Sequence, residues 1–471
     1  MSRHGMTPLR AGCIPPSPFY QDGGKFGRIF SSLAPLISEH EALVNLGKIG
    51  GPMDEGTGDD AAGESRTIPA GFTFLGQFID HDITLDTTSS LERQNDPTAI
   101  RNFRTPVLEL DNVYGSGPEA SPYLYDQENP AKLLIGTASN PSYDLPRNRQ
   151  NRALIGDPRN DENLVVSQLH LAFLKFHNAV VDHLKQRGIG GADLFHEAQQ
   201  TVRWHYQWIV LHEYLPLIVG QPLLDNIQDQ GRQFYQFGQE PFIPVEFSVA
   251  AFRLGHSQVR NSFQINDQVS AKLFDLSFFN GVPVGKAVDW RNFFKIDRKR
   301  PPQFSKKLDA KIASILLKLP FIPPSEEASL ATRNLLRGQS FSLPSGQAVT
   351  CAMGLEPLSD EQLEIAPLGF AAAPLWYYIL KEAEILGKGE TLGPVGGRLV
   401  AEVFLGLLEG DYLSYQNVHP CWKPTLPAAV PGTFTMADLL RFAGVAEGAS
   451  ADQDGDDDER DEGSDDDDDE D

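Results

Sequence analysis

One short segment constrains this 471-residue chain more than any other, because it places three polar side chains inside an apolar run. The segment Gly76–Asp82 reads GQFIDHD, and the apolar residues at near-helical spacing around it are Phe72, Phe74, Leu75, Phe78 and Ile79. Burying Asp80, His81 and Asp82 together is costly unless each carboxylate is paired or binds a metal. The alternative is a histidine at the surface or at a helix end, whose polar atoms are paired with the neighbouring carboxylates. The apolar context favours burial, so the sequence predicts a partner for this triplet.

The composition is that of a globular protein with a large core. Hydrophobic residues make up 41% of the chain and aromatic residues 10%, and no apolar run approaches the roughly 20 residues of a membrane helix. The first 16 residues lack the continuous apolar stretch of a secretory signal. Three scattered cysteines without CxxC spacing argue against a disulfide framework and a thiolate metal cluster. We expect no transmembrane segment, and either a cytoplasmic location or export by a signal-less route.

The net charge of −24 belongs mostly to the end of the chain. Between Asp452 and Asp471 there are fifteen acidic residues and one arginine, which leaves −10 for the remaining residues. Such a run is typical of a solvated, disordered tail, and no basic stripe supports nucleic-acid binding. We therefore expect an irregular arm rich in Gly and Pro over residues 1–70, a helical domain over 71–445 and an acidic tail over 446–471.

Helical periodicity dominates the body of the chain and predicts a mainly α fold with little β structure. The predicted helices span Asn163–Gln186, about Asp193 to Pro216, Pro374–Ile385 and, more weakly, Gly396–Leu408. Asn160 or Asp161 is placed to cap the first of these, and Pro216 is expected to stop the second.

Four histidines on the predicted helices are poor candidates for metal ligands. His170 and His177 lie seven residues apart, as do His205 and His212. Seven residues are two helical turns, which is too far for one ion to bridge. We expect structural or capping roles for these side chains.

Two further stretches combine charged residues with a helix start or a glycine, which are backbone features that favour ligand binding. The stretch Gly156–Asn163 reads GDPRNDEN at a predicted helix start, where an acidic cap is the simple interpretation and Arg159 is the odd member. The stretch Ala250–Ser257 reads AAFRLGHS, in which a glycine beside His256 lets a large flat group approach the backbone.

A fourth stretch, Thr105–Asp111, reads TPVLELD and alternates oxygen-bearing with apolar residues. Together with Asp82, its side chains supply enough oxygens and negative charge for a calcium ion. A half-exposed edge strand is the competing interpretation of the same alternation.

Taken in order along the chain, these four stretches resemble the animal-type haem peroxidases, the superfamily of myeloperoxidase, lactoperoxidase and the cyclooxygenases. The likeness extends in outline from about Phe26 to Phe442, and GQxxDHD is its most specific part, followed by FRxGH. The resemblance implies a multi-helix fold with haem b buried in a helical core, and a structural Ca²⁺.

On the peroxide side of the haem, the resemblance assigns roles to five residues. His81 resembles the distal histidine, Gln77 the distal glutamine and Arg159 the catalytic arginine. Asp80 and Glu162 resemble the two carboxylates that form ester bonds to the haem in this family, so an ester-linked haem is possible in chemical terms.

On the opposite side, His256 resembles the proximal iron ligand and Arg253 the arginine that binds a haem propionate. The asparagine that supports the proximal imidazole lies in a weakly matching region. Asn334 is the candidate because it opens an Asn-x-x-Arg segment ahead of a Leu-Pro pair, and Gln347 is the alternative.

The calcium ligands implied by the resemblance are Asp82, Thr105, Val107 through its carbonyl, Glu109 and Asp111. Glu109 and Asp111 replace an aspartate and a serine of the family pattern. The loop is therefore more acidic but keeps its oxygens.

The implied activity is reduction of hydrogen peroxide with oxidation of a small organic or anionic donor, as in a response to oxidative stress. Neither the donor nor the oligomeric state can be derived from the sequence. A fatty-acid dioxygenase of the same superfamily is an alternative, but its radical tyrosine would stand at position 253, which is arginine here. A non-catalytic, calcium-dependent adhesion or matrix protein would require loss of His81, Arg159 or His256, and all three are present.

Overall fold

The computed structural model describes residues 24, 26–86, 94–97, 100–136, 143–191, 193–275 and 279–446. Residues 1–23 of the predicted arm and residues 447–471 of the predicted acidic tail lie outside the described residues. The described α-helices are α1 (His40–Gly47), α2 (Gly71–Ile83), α3 (Asp111–Tyr114), α4 (Leu164–Gln186), α5 (Asp193–Ile209), α6 (Leu215–Val219), α7 (Gln221–Gln230), α8 (Leu330–Ser340), α9 (Gly346–Ala352), α10 (Asp360–Leu363), α11 (Leu375–Ile385), α12 (Pro394–Gly410), α13 (Tyr415–Val418) and α14 (Met436–Phe442). The mainly α class predicted from the sequence is confirmed.

Strands are few and short in the described residues, and they form three two-stranded sheets. The strands are β1 (Phe26–Gly27), β2 (Glu64–Pro69), β3 (Ile243–Pro244), β4 (Ser262–Asn266), β5 (Val269–Lys272) and β6 (Phe304–Lys306). β1 pairs with β3 in parallel, whereas β2 pairs with β6 and β4 with β5 in antiparallel register. Two of these pairings attach residues 26–69, which also include α1, to the helical body.

Helix α2 lies at the centre of the helical core. Its Phe78 is fully buried and stacks on Phe173 of α4, with ring centroids 4.5 Å apart and an interplanar angle of 11°. Among the described helices, α4 alone is long and apolar enough to cross a membrane, and 83% of its apolar window is buried inside the protein. That burial is the pattern of a core helix.

Two boundary predictions were wrong for local reasons. Asn163, rather than Asn160 or Asp161, caps α4 by accepting a hydrogen bond from the Val166 N–H, because the preceding residues form their own 3₁₀ turn. Pro216 does not end the second helix, since α5 continues through a π-helical turn at Val210–Tyr214 into α6. The proline lies in the first turn of α6, directly after the π-helical turn. Because its nitrogen carries no hydrogen, it cannot donate to the preceding turn, and the irregular turn lies where that hydrogen bond is lost.

Close packing between α9 and α11 yields a test of the fold. A Cβ added at Gly346 would lie 2.0 Å from Cγ of the buried Tyr378 ring. We expect Gly346→Ala to lower the free energy of unfolding by about 1–3 kcal/mol through overpacking. Thermal melting followed by circular dichroism measures this effect. Gly238→Ala is the control, because no atom of the described residues lies within 4 Å of its added Cβ; equal melting of both variants would contradict the packing.

Candidate active site

One face of α2 opens onto a cleft. Gly76, Gln77 and Asp80 are half-buried, whereas every other residue of the helix is buried. Residues spaced i, i+1 and i+4 share one side of an α-helix. The polar residues singled out in the sequence therefore lie on both sides of α2, with one group facing the cleft and another packed inside the protein.

His81 is held in one tautomer by an amide bridge. Its Nδ1 lies 2.7 Å from Oδ1 of Asn160, and the Asn160 Nδ2 lies 3.0 Å from Nδ1 of His170. Because the Asn160 amide donates to His170, its oxygen faces His81, so His81 carries its proton on Nδ1 and keeps Nε2 as the basic atom. Burial, followed by the charge of Arg159, lowers the pKa of His81 to about 4. The imidazole is neutral at neutral pH.

The sequence alone does not reveal this bridge, because Asn160 stands where a helix cap is expected and His170 lies on a predicted helix, where a structural role is expected. His170 is fully buried on α4, where burial lowers the pKa of its imidazole to about 3. The sequence signal for this bridge is the position of Asn160 directly after Arg159. The ten-residue separation between Asn160 and His170 does not by itself predict a contact between them.

Arg159 is a fixed cation at the edge of the cleft. Its Nη2 donates to the Thr84 carbonyl at 2.5 Å and to Asp157 Oδ2 at 2.8 Å. Burial raises the pKa of Asp157, but ion pairs with Arg159 and Arg104 outweigh it and hold that pKa well below its usual value. The Arg159 side chain remains 30% exposed, so its guanidinium is anchored without being enclosed.

Gln77 and Glu162 connect the open face of α2 to the start of α4. The Gln77 Nε2 donates to Glu162 Oε2 at 2.9 Å, and the Asn163 Nδ2 donates to the Gln77 oxygen at 3.2 Å. Burial raises the pKa of Glu162. Asp80 accepts a hydrogen bond from the Thr84 hydroxyl at 3.0 Å.

The segment Ala251–His256 opens onto the cleft in the same way. Arg253, Gly255 and His256 are half-buried between buried neighbours. An added Cβ at Gly255 would meet no described atom within 4 Å. Burial, then the charge of Arg253, lowers the pKa of His256 to about 3, so this imidazole is also neutral.

Asn334 of α8 contacts both cleft residues of this segment. Its Nδ2 lies 2.7 Å from Nδ1 of His256, and its Oδ1 accepts from Arg253 Nη1 at 2.9 Å. The alternative candidate, Gln347, accepts a hydrogen bond from the Ala373 N–H instead. Of the two candidates, only Asn334 is in contact with His256.

The two sides of the cleft interact through charge and share a cavity. Burial and the charge of Arg337 lower the pKa of Arg253 to about 10, while the carboxylate of Asp80 across the cleft raises it. A cavity of about 100 Å³ is lined by Thr84 and Arg159 from one side and by Ser248 and Arg337 from the other. This cavity is smaller than the roughly 300–1,000 Å³ of typical cofactor pockets, and neither His81 nor His256 is among the residues that line it.

The loop at 105–111 is a series of turns rather than an edge strand. The Val107 N–H donates to the Thr105 carbonyl, the Glu109 N–H donates to the Val107 carbonyl, and Leu110 has a φ of +60°. The loop is tied to α2 because the Asp111 N–H donates to Asp82 Oδ1 at 2.8 Å.

Buried carboxylates crowd together where this loop meets α2. The Asp82 Oδ2 and Glu109 Oε1 atoms are buried and accept no hydrogen bond from the described residues. Burial, then the charge of Asp111, raises the pKa of Asp82 to about 7 and that of Glu109 to about 8. Arg203 offsets the repulsion between these carboxylates only partly, because its Nη2 lies 3.6 Å from Glu109 Oε2.

These oxygens fit a hard cation. Calcium accepts six to eight oxygen ligands, including carbonyls, and favours carboxylates over protonated acids. Within the described residues no three His, Cys, Asp or Glu side chains form a metal-binding group by themselves. A cation here would therefore also need backbone and hydroxyl oxygens, which Val107 and Thr105 can supply.

Comparison with known proteins decides the family. Residues 87–364 match the domain described as animal haem peroxidase. The chain belongs to the animal haem peroxidase family. The matched range includes Arg159, Arg253, His256 and Asn334, and it begins after α2. Membership implies a haem cofactor and supports an oxidoreductase.

Curated peroxidases share modest identity with this member of the animal haem peroxidase family. Chorion peroxidase of Aedes aegypti is 24% identical over 60% of this chain, and human lactoperoxidase is 27% identical over 40%. The chain spans only 37% and 25% of the length of these two relatives.

Solved structures share the fold over nearly the whole chain. Peroxidase A from Dictyostelium discoideum has a TM-score of 0.61 at 15% identity, covering 92% of this chain and 94% of its own. The fatty acid alpha-dioxygenase of Oryza sativa has a TM-score of 0.56 at 15% identity, covering 95% and 85%. At such identities the likeness establishes the fold alone.

The crowded carboxylates of this haem peroxidase family member generate a prediction about metal. After treatment with EGTA, we expect added Ca²⁺ to raise the free energy of unfolding by about 2.7 kcal/mol at a concentration one hundred times its Kd. Asp82→Asn should remove most of this stabilisation, which calorimetric melting measures with and without Ca²⁺. Asp229→Asn, on the exposed side of α7, should keep it. A calcium-independent melting temperature in the unmodified protein would contradict the site.

Proposed function

We propose that this protein is a haem peroxidase that reduces hydrogen peroxide and oxidises a small organic or anionic donor in the cleft. The observation that carries the proposal is the neutral His81 imidazole near the anchored Arg159 guanidinium. The charge of Arg159 contributes, after burial, to the lowered pKa of His81, and its Nη2 donates to the His81 backbone carbonyl at 3.3 Å. A base with a defined proton-free nitrogen and a permanent cation are the two groups that cleavage of a peroxide bond requires.

His81 and Arg159 would share the proton and charge transfers. The His81 Nε2 takes a proton from one peroxide oxygen and returns it to the other, acting first as a base and then as an acid. Arg159 stabilises the negative charge that develops as the O–O bond breaks, and its guanidinium cannot lose its proton in doing so. Gln77, held by Glu162, supplies a further polar group on the same helix face.

Residues from both sides of the cleft would hold the haem group. His256 would bind the iron, Arg253 would pair with a haem carboxylate, and Asp80 and Glu162 are the positions for ester bonds. When bound, haem supplies the redox chemistry that amino-acid side chains lack. The Arg253 guanidinium donates hydrogen bonds to the Ser248 carbonyl and to the amide oxygen of Asn334, both of which are uncharged. A negatively charged haem carboxylate would therefore be a favourable further partner for this cation.

Iron binding through Nε2 would require a change at Asn334. At present its NH₂ group faces His256 Nδ1, which therefore accepts the hydrogen bond. An imidazole that binds metal through Nε2 carries its proton on Nδ1 and needs an acceptor there. Asn334 can present its oxygen once Arg253 pairs with a carboxylate instead of that oxygen.

A calcium ion would hold the distal side together. Asp82, Thr105, Val107 through its carbonyl, Glu109 and Asp111 supply oxygens from α2 and the adjacent loop. Because Asp82 directly follows His81, an ion at Asp82 would also fix the end of the helix that carries the base.

Residue 253 argues against the dioxygenase alternative. A dioxygenase of this superfamily would carry its radical tyrosine at this position, which is arginine here. The solved dioxygenase and peroxidase structures are equally distant in sequence, so their identities do not distinguish the two activities. Oxygen uptake with linoleate in the absence of peroxide would favour that alternative. A colourless protein without bound haem would favour a calcium-dependent adhesion or matrix role.

The role of His81 is tested by His81→Ala in the haem-loaded protein. Loss of general acid–base catalysis should slow peroxide-dependent guaiacol oxidation by about 10²–10⁴-fold. The Soret absorbance should remain, because the iron would still be bound by His256. Stopped-flow spectroscopy measures the reaction with peroxide, and an unchanged rate would refute the assignment. His256→Ala is the counterpart and should lose or loosen the haem.

The amide bridge yields a separate prediction. Asn160→Ala removes the acceptor at His81 Nδ1 and frees the ring to rotate, so we expect guaiacol oxidation to fall by about tenfold or more while haem content is retained. Asn178→Ala is the matched control, because Asn178 lies on α4 and bonds the Leu133 backbone far from the bridge. Equal activities in the two variants would show that the bridge does not position His81.

A further inference from the structure

The outer face of α5 carries an unusual concentration of oxidisable side chains. The outer aromatic cluster consists of Trp204, Trp208, His212, Tyr415 and Trp422, and it contains three of the five tryptophans in the chain. Ring centroids are separated by 5.4 Å in the Trp204–Trp422 pair and in the Tyr415–Trp422 pair, and by 6.0 Å between Trp208 and Trp422. These rings are in contact, so an electron deficit on one is shared readily with the others.

The cluster reaches the surface and contains a proton acceptor. Its three tryptophans are half-buried and His212 is exposed. Tyr415 is buried, with its hydroxyl 3.1 Å from Nε2 of His212, which stacks on Trp208 at 3.8 Å. Because His212 is exposed, its imidazole is mostly neutral at pH 7. Its Nε2 can therefore take the proton that an oxidised tyrosine releases.

The inner face of the same helical segment reaches the cleft. Tyr214 ends the π-helical turn that continues α5, and it is fully buried. A Cβ added at Gly76, on the open face of α2, would lie 2.6 Å from the Tyr214 hydroxyl. Only the width of one helix, about 10–12 Å with side chains, separates this tyrosine from the outer face.

We propose that the outer aromatic cluster is a second oxidation site, at which phenolic donors too large for the cleft are oxidised through Tyr214. This inference rests on the proposed peroxidase function, which supplies the oxidant. It assigns to Trp208 and Trp422 the surface contact with the donor, and to the buried Tyr415 the exchange of a proton with His212.

The electron balance closes with peroxide as the oxidant. One hydrogen peroxide takes two electrons and two protons to give two waters. Each electron leaves the cluster toward the cleft through Tyr214, and the Tyr415 hydroxyl passes its proton to His212. A phenolic donor then gives one electron to the cluster and its proton to solvent, and His212 returns the proton that it held to Tyr415. Two phenols thus yield two phenoxyl radicals for each peroxide, and solvent supplies the two protons that the peroxide consumes.

Packing alone explains part of this arrangement. Trp204 donates from Nε1 to the Leu413 carbonyl, and the rings hold residues 411–422 against α5. A packing role needs neither surface access nor a tyrosine paired with a neutral histidine. It also predicts no radical on the cluster, and this difference can be measured.

The test compares two donors with the same reacting group. The haem-loaded full chain is given peroxide with either free tyramine or tyramine coupled to dextran, and dityrosine fluorescence reports the rates. In the double variant Trp208→Phe and Trp422→Phe, we expect the ratio of dextran-bound to free tyramine oxidation to fall by about tenfold or more. Trp290→Phe, a buried tryptophan packed on Phe293 and Phe294, is the matched control and should keep the ratio.

A second measurement locates the radical directly. Peroxide treatment with a nitroso spin trap, followed by peptide mass spectrometry, should place adducts on Tyr415 or Trp422. An unchanged donor ratio in the double variant, or adducts confined to other regions, would overturn the surface site. Free tyramine left unoxidised by the unmodified protein would instead overturn the peroxidase function itself, so the two failures are distinguishable.

Discussion

The burial of α2 with polar side chains on more than one face is the constraint on which the rest of the structure depends. Asp82 faces a loop and accepts the Asp111 N–H, His81 meets the amide of Asn160, and Asp80 faces the cleft. Each group avoids the cost of burial differently, through a backbone donor, an amide bridge or residual access to the cleft. The surrounding helices must supply these partners, which explains why α4 and the 105–111 loop converge on one short helix.

Burial determines which side chains of the cleft are charged and which are neutral. Both imidazoles are neutral because desolvation disfavours their charged forms. The guanidinium groups stay charged because arginine holds its proton even when buried. The result is a site with neutral bases and permanent cations, suited to moving protons while stabilising developing negative charge. The carboxylates of Asp157 and Asp80 raise the pKa of His81, but by less than burial and Arg159 lower it.

Local sequence patterns predict the helices and the candidate site residues well. They do not predict which of these residues contact each other in the folded protein. The periodicity of α4 and α11 predicted both within one residue of their observed starts. The cap of α4 and the end of α5 were misplaced, because a 3₁₀ turn and a π-helical turn depend on packing beyond the local sequence. The Asn160 bridge was not foreseen, since it joins α2 and α4 through an amide that looked like a cap.

The sequence by itself determined the family, the mainly helical class and which side chains carry the candidate chemistry, because these depend on residue identity and short spacing. Only the tertiary structure decided that His81 keeps a basic Nε2, that Asn334 rather than Gln347 touches His256, and that the 105–111 loop turns instead of running as a strand. Those outcomes depend on contacts between residues far apart in the chain. Their energies come from burial and hydrogen-bond geometry, which no local pattern encodes.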